Sequence, residues 1–196
     1  MIIGVTGRAG SGKSFFEKVV CQATESVCID LDKVGHEALE NEELQTRLAN
    51  RFGQHIRDKD GINRKELGNI VFNDPNALED LNRYIHPMMK DMVRELLNKN
   101  SDKTCFVIGA LIQEIGLTDD CDKIVTIDAD DEGIKKNSPS QYDISRRQRS
   151  RQSYRDEGDI VITNTFDDGF LEKIQHLMKN NFRITSTLDK INAQEE

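Results

Sequence analysis

The chain is poor in the features that would send it to a membrane, a metal framework or the cell exterior. No apolar run among its 196 residues is long enough to span a bilayer, and no basic segment followed by an apolar stretch opens it. Its four cysteines, Cys21, Cys28, Cys105 and Cys121, make no C-x-x-C pair and have no histidines clustered beside them. A disulfide framework or a zinc site is therefore not expected; reduced core thiols in a cytoplasmic protein are. Basic charge is in deficit as well. The formal net charge of −8, well mixed along the chain, argues against a nucleic-acid footprint and for a small-molecule partner. Internal repeats and low-complexity blocks are missing. The length suits one domain with insertions, expected as a monomer or weak homo-oligomer.

What the chain does carry begins at once. Gly7-Arg8-Ala9-Gly10-Ser11-Gly12-Lys13-Ser14 fits the phosphate-loop pattern G-x-x-x-x-G-K-[ST] and directly follows the apolar start Met1-Ile2-Ile3-Gly4-Val5-Thr6. Strand, glycine-rich turn and helix start, in that order, are the context the motif needs. Gly7, Gly10 and Gly12 can take backbone angles denied to other residues, so that successive N–H groups turn inward as a nest for phosphate oxygens. A helix opening near Lys13 adds its positive end. Lys13 supplies an ammonium for the outer phosphates, and the Ser14 hydroxyl is placed to coordinate Mg²⁺. The expected nucleotide contacts are Gly7, Ala9, Gly10, Ser11, Gly12, Lys13, Ser14 and Phe15.

Further along, Ser26 to Ile29 reads as a second short strand ending at Asp30, after a helix over Phe15 to Ala23. Lys33 to Phe52 has helical spacing in Leu39, Leu44 and Leu48, and Asp60-Gly61 is a turn signal. Arg64 to Phe72 and Pro75 to Asn98 read as helices, the second opened by Asp74 as its cap with Pro75 first. Pro87 is expected to kink or interrupt that helix. Thr104 to Ile108, Lys123 to Ile127 and Ile160 to Ile162 complete the strands, and Gly169 to Asn180 closes as a helix. Strands alternating with helices predict an α/β fold of the phosphate-loop NTPase type, a parallel five-stranded sheet with helices on both faces. Residues 1–32, 104–129 and 157–181 would form the nucleotide-binding core. Residues 33–103 would be a helical acceptor-binding insert, 130–156 a lid, and 182–196 a mobile tail.

The class of phosphate-loop protein turns on where the acids fall. The third strand ends in Gly109-Ala110 without one, whereas the second ends in Cys28-Ile29-Asp30-Leu31-Asp32. A carboxylate there faces the outer phosphate from the acceptor side, where it can take a proton from an attacking hydroxyl. In an extended segment Asp30 and Asp32 would project to one face. The alternative is a pair of solvated acids capping the next helix. No Asn-Lys-x-Asp follows the later strands, which lowers the GTPase option.

These residues resemble the dephospho-CoA kinase family, from Met1 to about Leu171. The phosphate loop, Asp30-Leu31-Asp32 with His36 after it, Gly61 to Leu67, Val71-Phe72 and the His86-Pro87 pair are similar to the family's pattern, the last most specifically. Ala110 to Glu114 is similar to its Pro-Leu-Leu-Phe-Glu segment, and Gln148 with Asp159 to Asn164 to its closing strand. The resemblance implies transfer of the γ-phosphoryl of ATP, with Mg²⁺, to the ribose 3′-hydroxyl of dephospho-CoA, the last step of coenzyme A synthesis. It implies Asp32 as base and Lys13 as phosphate holder. Asp30, Arg64 and His86 would lie toward the acceptor, and Asn164 near the adenine.

Departures gather in the lid. The family's lid carries arginines, yet Asp130 to Asn137 has none, and the expected position falls near Gly133. Lys135, Lys136 or the cluster Arg146, Arg147, Arg149, Arg151 and Arg155 could substitute; lysine lacks the planar fork, and a charge run is usually a solvated face. Ala110 for Pro and Gln113 for Phe loosen a segment expected to pack under the acceptor. Two other readings stay open: a different nucleoside or nucleotide kinase, and a nucleotide-binding module with a degenerate lid.

Overall fold

The structure, a computed structural model, describes residues 1–182, with residues 22 and 23 as backbone alone. Five strands, β1 (Ile2–Thr6), β2 (Val27–Asp30), β5 (Cys105–Ile108), β6 (Lys123–Asp128) and β7 (Ile160–Thr163), form one sheet in the order β2-β5-β1-β6-β7. Every pairing in it is parallel. The strands read as apolar runs because both faces are covered. Successive residues divide between two cores, as a period of two requires. Ile29, Cys105, Val107 and Ile124 face one core, and Ile3, Val5, Phe106, Ile108, Val125 and Ile127 the other.

The second of these cores is closed by α1 (Lys13–Ala23) and α10 (Gly169–Asn181), through Phe16, Val19 and Val20 on one and Phe170, Ile174 and Leu177 on the other. The first is closed by α2 (Leu31–Ala38), α3 (Glu42–Phe52), α4 (Arg64–Val71), α5 (Pro75–Lys99) and α6 (Ile112–Ile115). The insert thus shares its core with the sheet. Between α3 and α4 a short hairpin, β3 (Arg57–Asp58) and β4 (Gly61–Ile62), turns at Lys59-Asp60, one residue before the expected Asp60-Gly61. The lid region holds three short helices, α7 (Asp131–Asn137), α8 (Pro139–Ser145) and α9 (Arg151–Glu157).

Four expectations need correction. The helical stretch from residue 33 to 52 is two helices, because Asn41 accepts from the Leu44 amide and opens α3 afresh, with Glu42 and Glu43 in its first turn. Of the kink or interruption expected at Pro87, the interruption does not occur: Ala77, Ile85, Met89, Val93 and Leu97 bury one stripe along the whole length of α5, and that packing outweighs one missing donor. Cys21 and Cys28 are joined in a disulfide, since the end of α1 returns onto β2 with their Cα atoms 6.5 Å apart; Cys105 and Cys121 are free thiols. The tail does not begin at 182. Phe182 is buried in the second core with its ring edge-on to Phe106, and the remainder, 183–196, lies outside the described residues.

Candidate active site

The phosphate loop follows the central strand β1 at the carboxyl edge of the sheet, where parallel α/β sheets gather their ligands. Gly7, Gly10 and Gly12 have φ of 144°, 76° and 112°, in the region where a side chain is strained. At Gly7 a Cβ would come within 2.2 Å of the Ile127 carbonyl oxygen, and at Gly12 within 2.5 Å of Asn164 Nδ2. Only glycine fits either place. The Lys13 ammonium curls back onto the loop, donating to the Gly7 and Arg8 carbonyls at 2.7 and 2.9 Å. Burial draws its pKa down to about 8, against the pull of the Asp32 and Asp30 carboxylates. Ser11 Oγ is buried without a partner, whereas Ser14 and Phe15 are exposed at the start of α1. Phe15 lies against Phe170, with ring centroids 5.7 Å apart.

The chain is not extended through Asp30-Leu31-Asp32. β2 ends at Asp30 and α2 starts at Leu31, so the argument from strand alternation does not hold. Asp30 caps α2, its carboxylate accepting from the Asp32 amide at 2.9 Å and lying 3.4 Å from Lys33 Nζ. Asp32 sits exposed in the first helical turn, and of the two acids it bears more strongly on Lys13. The junction of β2 and α2 therefore brings both acids close enough to act electrostatically on Lys13, one occupied as a cap and the other open to solvent.

Asn164 is committed to bracing the loop. Its Nδ2 donates to the Ser11 carbonyl at 2.9 Å and its Oδ1 accepts from the Phe166 amide at 2.8 Å. His86, half-buried on α5, donates from Nδ1 to the Glu114 carbonyl at 3.2 Å, and burial lowers its pKa so that the ring is neutral near pH 7. Arg64 is exposed as the first residue of α4, and among the described residues no side-chain hydrogen bond or ion pair joins it to the other site residues.

Asp128 was not anticipated from sequence, and neither were the partners of Arg8, Gln148, Arg151 and Arg155. Arg8, within the loop, donates to Asp131 Oδ1 at 2.6 Å and to the Ala129 carbonyl at 2.8 Å, tying the loop to the start of α7. Gln148 Oε1 accepts from the Ala9 amide at 2.7 Å, tying it to the segment before α9. The segment from Asp131 to Gln148 is thus fastened to the phosphate loop at both ends. Asp128, at the end of β6, holds Arg151 through two 2.6 Å hydrogen bonds and also accepts from Arg155. Burial works to raise the Asp128 pKa, but the two arginines outweigh it and the group sits below the ordinary carboxylate range. The acid ending that strand was the available signal. Between loop and lid lies a cleft of about 530 Å³ lined by Arg8, Asp131, Arg146, Gln148, Arg149 and Arg151. It is rich in guanidinium groups and opens beside the loop, which suits polyanionic phosphate.

The family model described as dephospho-CoA kinase matches residues 1–168. The chain is 34% identical over 192 residues to the dephospho-CoA kinase of Fusobacterium nucleatum, covering 97% of this chain and 95% of that protein. It is 34% identical over 154 residues to that of Dehalococcoides mccartyi, covering 75% and 76% of the two. Among solved structures, TT1252 from Thermus thermophilus superposes with a TM-score of 0.76 at 24% identity, over 95% of this chain and 98% of that one. The dephospho-CoA kinase from Campylobacter jejuni gives 0.66 at 24% identity over 92% and 98%; both support the fold. Loop, acids, insert and lid all fall within the matched residues, and the chain belongs to the dephospho-CoA kinase family.

Proposed function

We propose that the chain transfers the γ-phosphoryl group of ATP to the ribose 3′-hydroxyl of dephospho-CoA, giving coenzyme A and ADP in the last step of coenzyme A synthesis. The observation that carries this is the pairing of a phosphate-loop lysine with an exposed acid: Asp32 is the carboxylate bearing most strongly on Lys13. In the reaction Asp32 takes the proton from the attacking 3′-oxygen as that oxygen bonds to the γ-phosphorus. The bond from that phosphorus to the β–γ bridging oxygen breaks, and ADP leaves. Lys13 and the inward amides of residues 7–14 hold the phosphates, and the Phe15 ring and Asn164 lie on the nucleoside side. Asp30 sets the start of α2 and so the position of Asp32; Arg64 and His86 belong to the acceptor side.

Mg²⁺ fits this donor set. Among the described residues no group of three or more His, Cys, Asp or Glu could hold a metal, so the ion would arrive with the phosphates and complete its shell with hard oxygens, the exposed Ser14 hydroxyl and the Asp32 carboxylate. When bound it neutralises charge on the transferring group. In this reading residues 33–103 are the acceptor-binding insert and 130–156 the lid. No helix of the described residues is long and apolar enough to cross a membrane. A cytoplasmic monomer or weak homo-oligomer without a nucleic-acid partner completes the proposal.

The test is direct. With ATP, Mg²⁺ and dephospho-CoA the protein should release coenzyme A and ADP in equal amounts. Asp32→Asn should lower kcat by at least about a hundredfold while ATP affinity stays within a few-fold, because general-base catalysis is worth that much. A folded wild-type protein that makes no coenzyme A, or an Asp32→Asn variant that turns over normally, would defeat the assignment.

A further inference from the structure

Away from the phosphate loop, the densest polar cluster surrounds Arg149. Its Nε lies 2.7 Å from Glu114 Oε1, and Nη2 donates to Glu157 Oε2 at 2.7 Å. Nη1 donates to Ser153 Oγ at 3.3 Å and to Gln113 Oε1. The guanidinium carbon sits 4.3 Å from the centroid of the Tyr154 ring, whose hydroxyl donates to the Ala110 carbonyl at 3.1 Å. The Glu157 side chain is only 3% exposed, and Arg149 is its ion-pair partner. One planar fork therefore ties α6 to α9, and the Tyr154 ring beneath it carries the tie on to Ala110.

The neighbours of this cluster give it a role. Glu114, which receives Arg149 on its carboxylate, receives His86 on its carbonyl. Gln148, next to Arg149 in the chain, holds the Ala9 amide of the phosphate loop. Arg149 lines the 530 Å³ cleft, while its partners Gln113, Ser153 and Glu157 line a second cavity of about 340 Å³. The network borders both.

We propose that Arg149 is a positioning residue for the phosphoryl acceptor: it fixes the Ala110 to Glu114 segment, and through Glu114 the His86 ring, relative to the phosphate loop. The proposal rests on the kinase reading above, in which His86 belongs to the acceptor side. It explains how Gln113, an apolar position by family resemblance, is accommodated, since its amide oxygen accepts from Arg149. Lysine could not replace this side chain, because a single ammonium cannot span partners on three sides of a planar fork.

The test uses the full chain and three variants, Arg149→Lys, Glu114→Gln and the pair, with steady-state kinetics for both substrates and calorimetric ATP binding. Arg149→Lys should raise KM for dephospho-CoA about tenfold and lower kcat, with ATP affinity within about twofold of wild type. Glu114→Gln should shift the same KM in the same direction, and the pair should do no more than the stronger single change, as for two residues acting through one contact. A purely structural role would lower the melting temperature and the active fraction while leaving KM unmoved. That outcome, or parallel shifts in both substrates, would overturn the proposal. Should Arg149→Lys fail to fold, Glu114→Gln decides alone, since it leaves Arg149 its contact with Glu157. Wild-type protein making no coenzyme A would instead defeat the kinase reading itself, and that assay comes first.

Discussion

The Lys13 ammonium is held between burial, which favours loss of its proton, and Asp32 and Asp30, which favour keeping it. Burial prevails and the pKa falls to about 8. Because the folded value lies below the unfolded one, the charged lysine opposes folding, fully so below about pH 8, and the penalty fades as pH rises toward 10.5. ATP reverses the balance by placing negative oxygens against the amine. Binding at pH 8 should therefore take up about half a proton, visible as a dependence of binding enthalpy on buffer ionisation. The uptake should vanish in Lys13→Met, and ATP affinity should weaken with rising pH only in the wild type. The lysine and glycines of this loop were legible in sequence because their spacing is local. The contacts of Arg149 were not, because Glu114 is brought to it only by folding, and a run of arginines reads as a solvated face until its partners are placed.

At the scale of elements, two fastenings were hidden in the sequence. α9 is latched to β6 by Asp128, whose carboxylate is buried and shared by Arg151 and Arg155. Its pKa is depressed on balance, so the latch is present above the ordinary carboxylate range and is lost as pH falls below about 4. Asp128→Asn should lower stability at neutral pH by about 1–3 kcal/mol and flatten the acid limb of a melting-temperature profile against pH. The other fastening is the Cys21–Cys28 disulfide, closing a short loop between α1 and β2. Chain-entropy arguments give it about 2.5 kcal/mol. Reduction should lower the denaturant midpoint accordingly, and Cys21→Ser should make stability insensitive to reductant. Both cysteines were visible, but the reading of reduced thiols rested on composition, and composition carries no distances. Helix starts were more readable: Asp74 with Pro75 marks α5 plainly, and Asn41 before Glu42 and Glu43 carried the same signal for α3.

For the molecule as a whole, the alternation of apolar runs with helical spacing was enough to anticipate a five-stranded parallel sheet, because that pattern depends on periodicity alone. The end of the fold was harder to read. Phe182 follows polar Asn180 and Asn181, yet its ring packs on Phe106, which also meets Phe16 edge-on. Phe182→Ala should lower unfolding free energy by about 3 kcal/mol, measured by denaturant titration, and an effect below about 0.5 kcal/mol would return it to the tail. The strand order carries a last consequence. Asp32, the base of the proposed reaction, stands just past the end of the edge strand β2 and the phosphate loop at the end of the central one, with β5 between them. Two inter-strand spacings separate their roots by roughly 10 Å. β5 carries none of the proposed reacting groups, yet in that reading it is the spacer that would set how far the carboxylate must reach to a phosphorus. Backbone pairing fixes that gap, so a change of side-chain volume at Val107, which faces the core on one side of the sheet, would be felt in stability before it was felt in the reach.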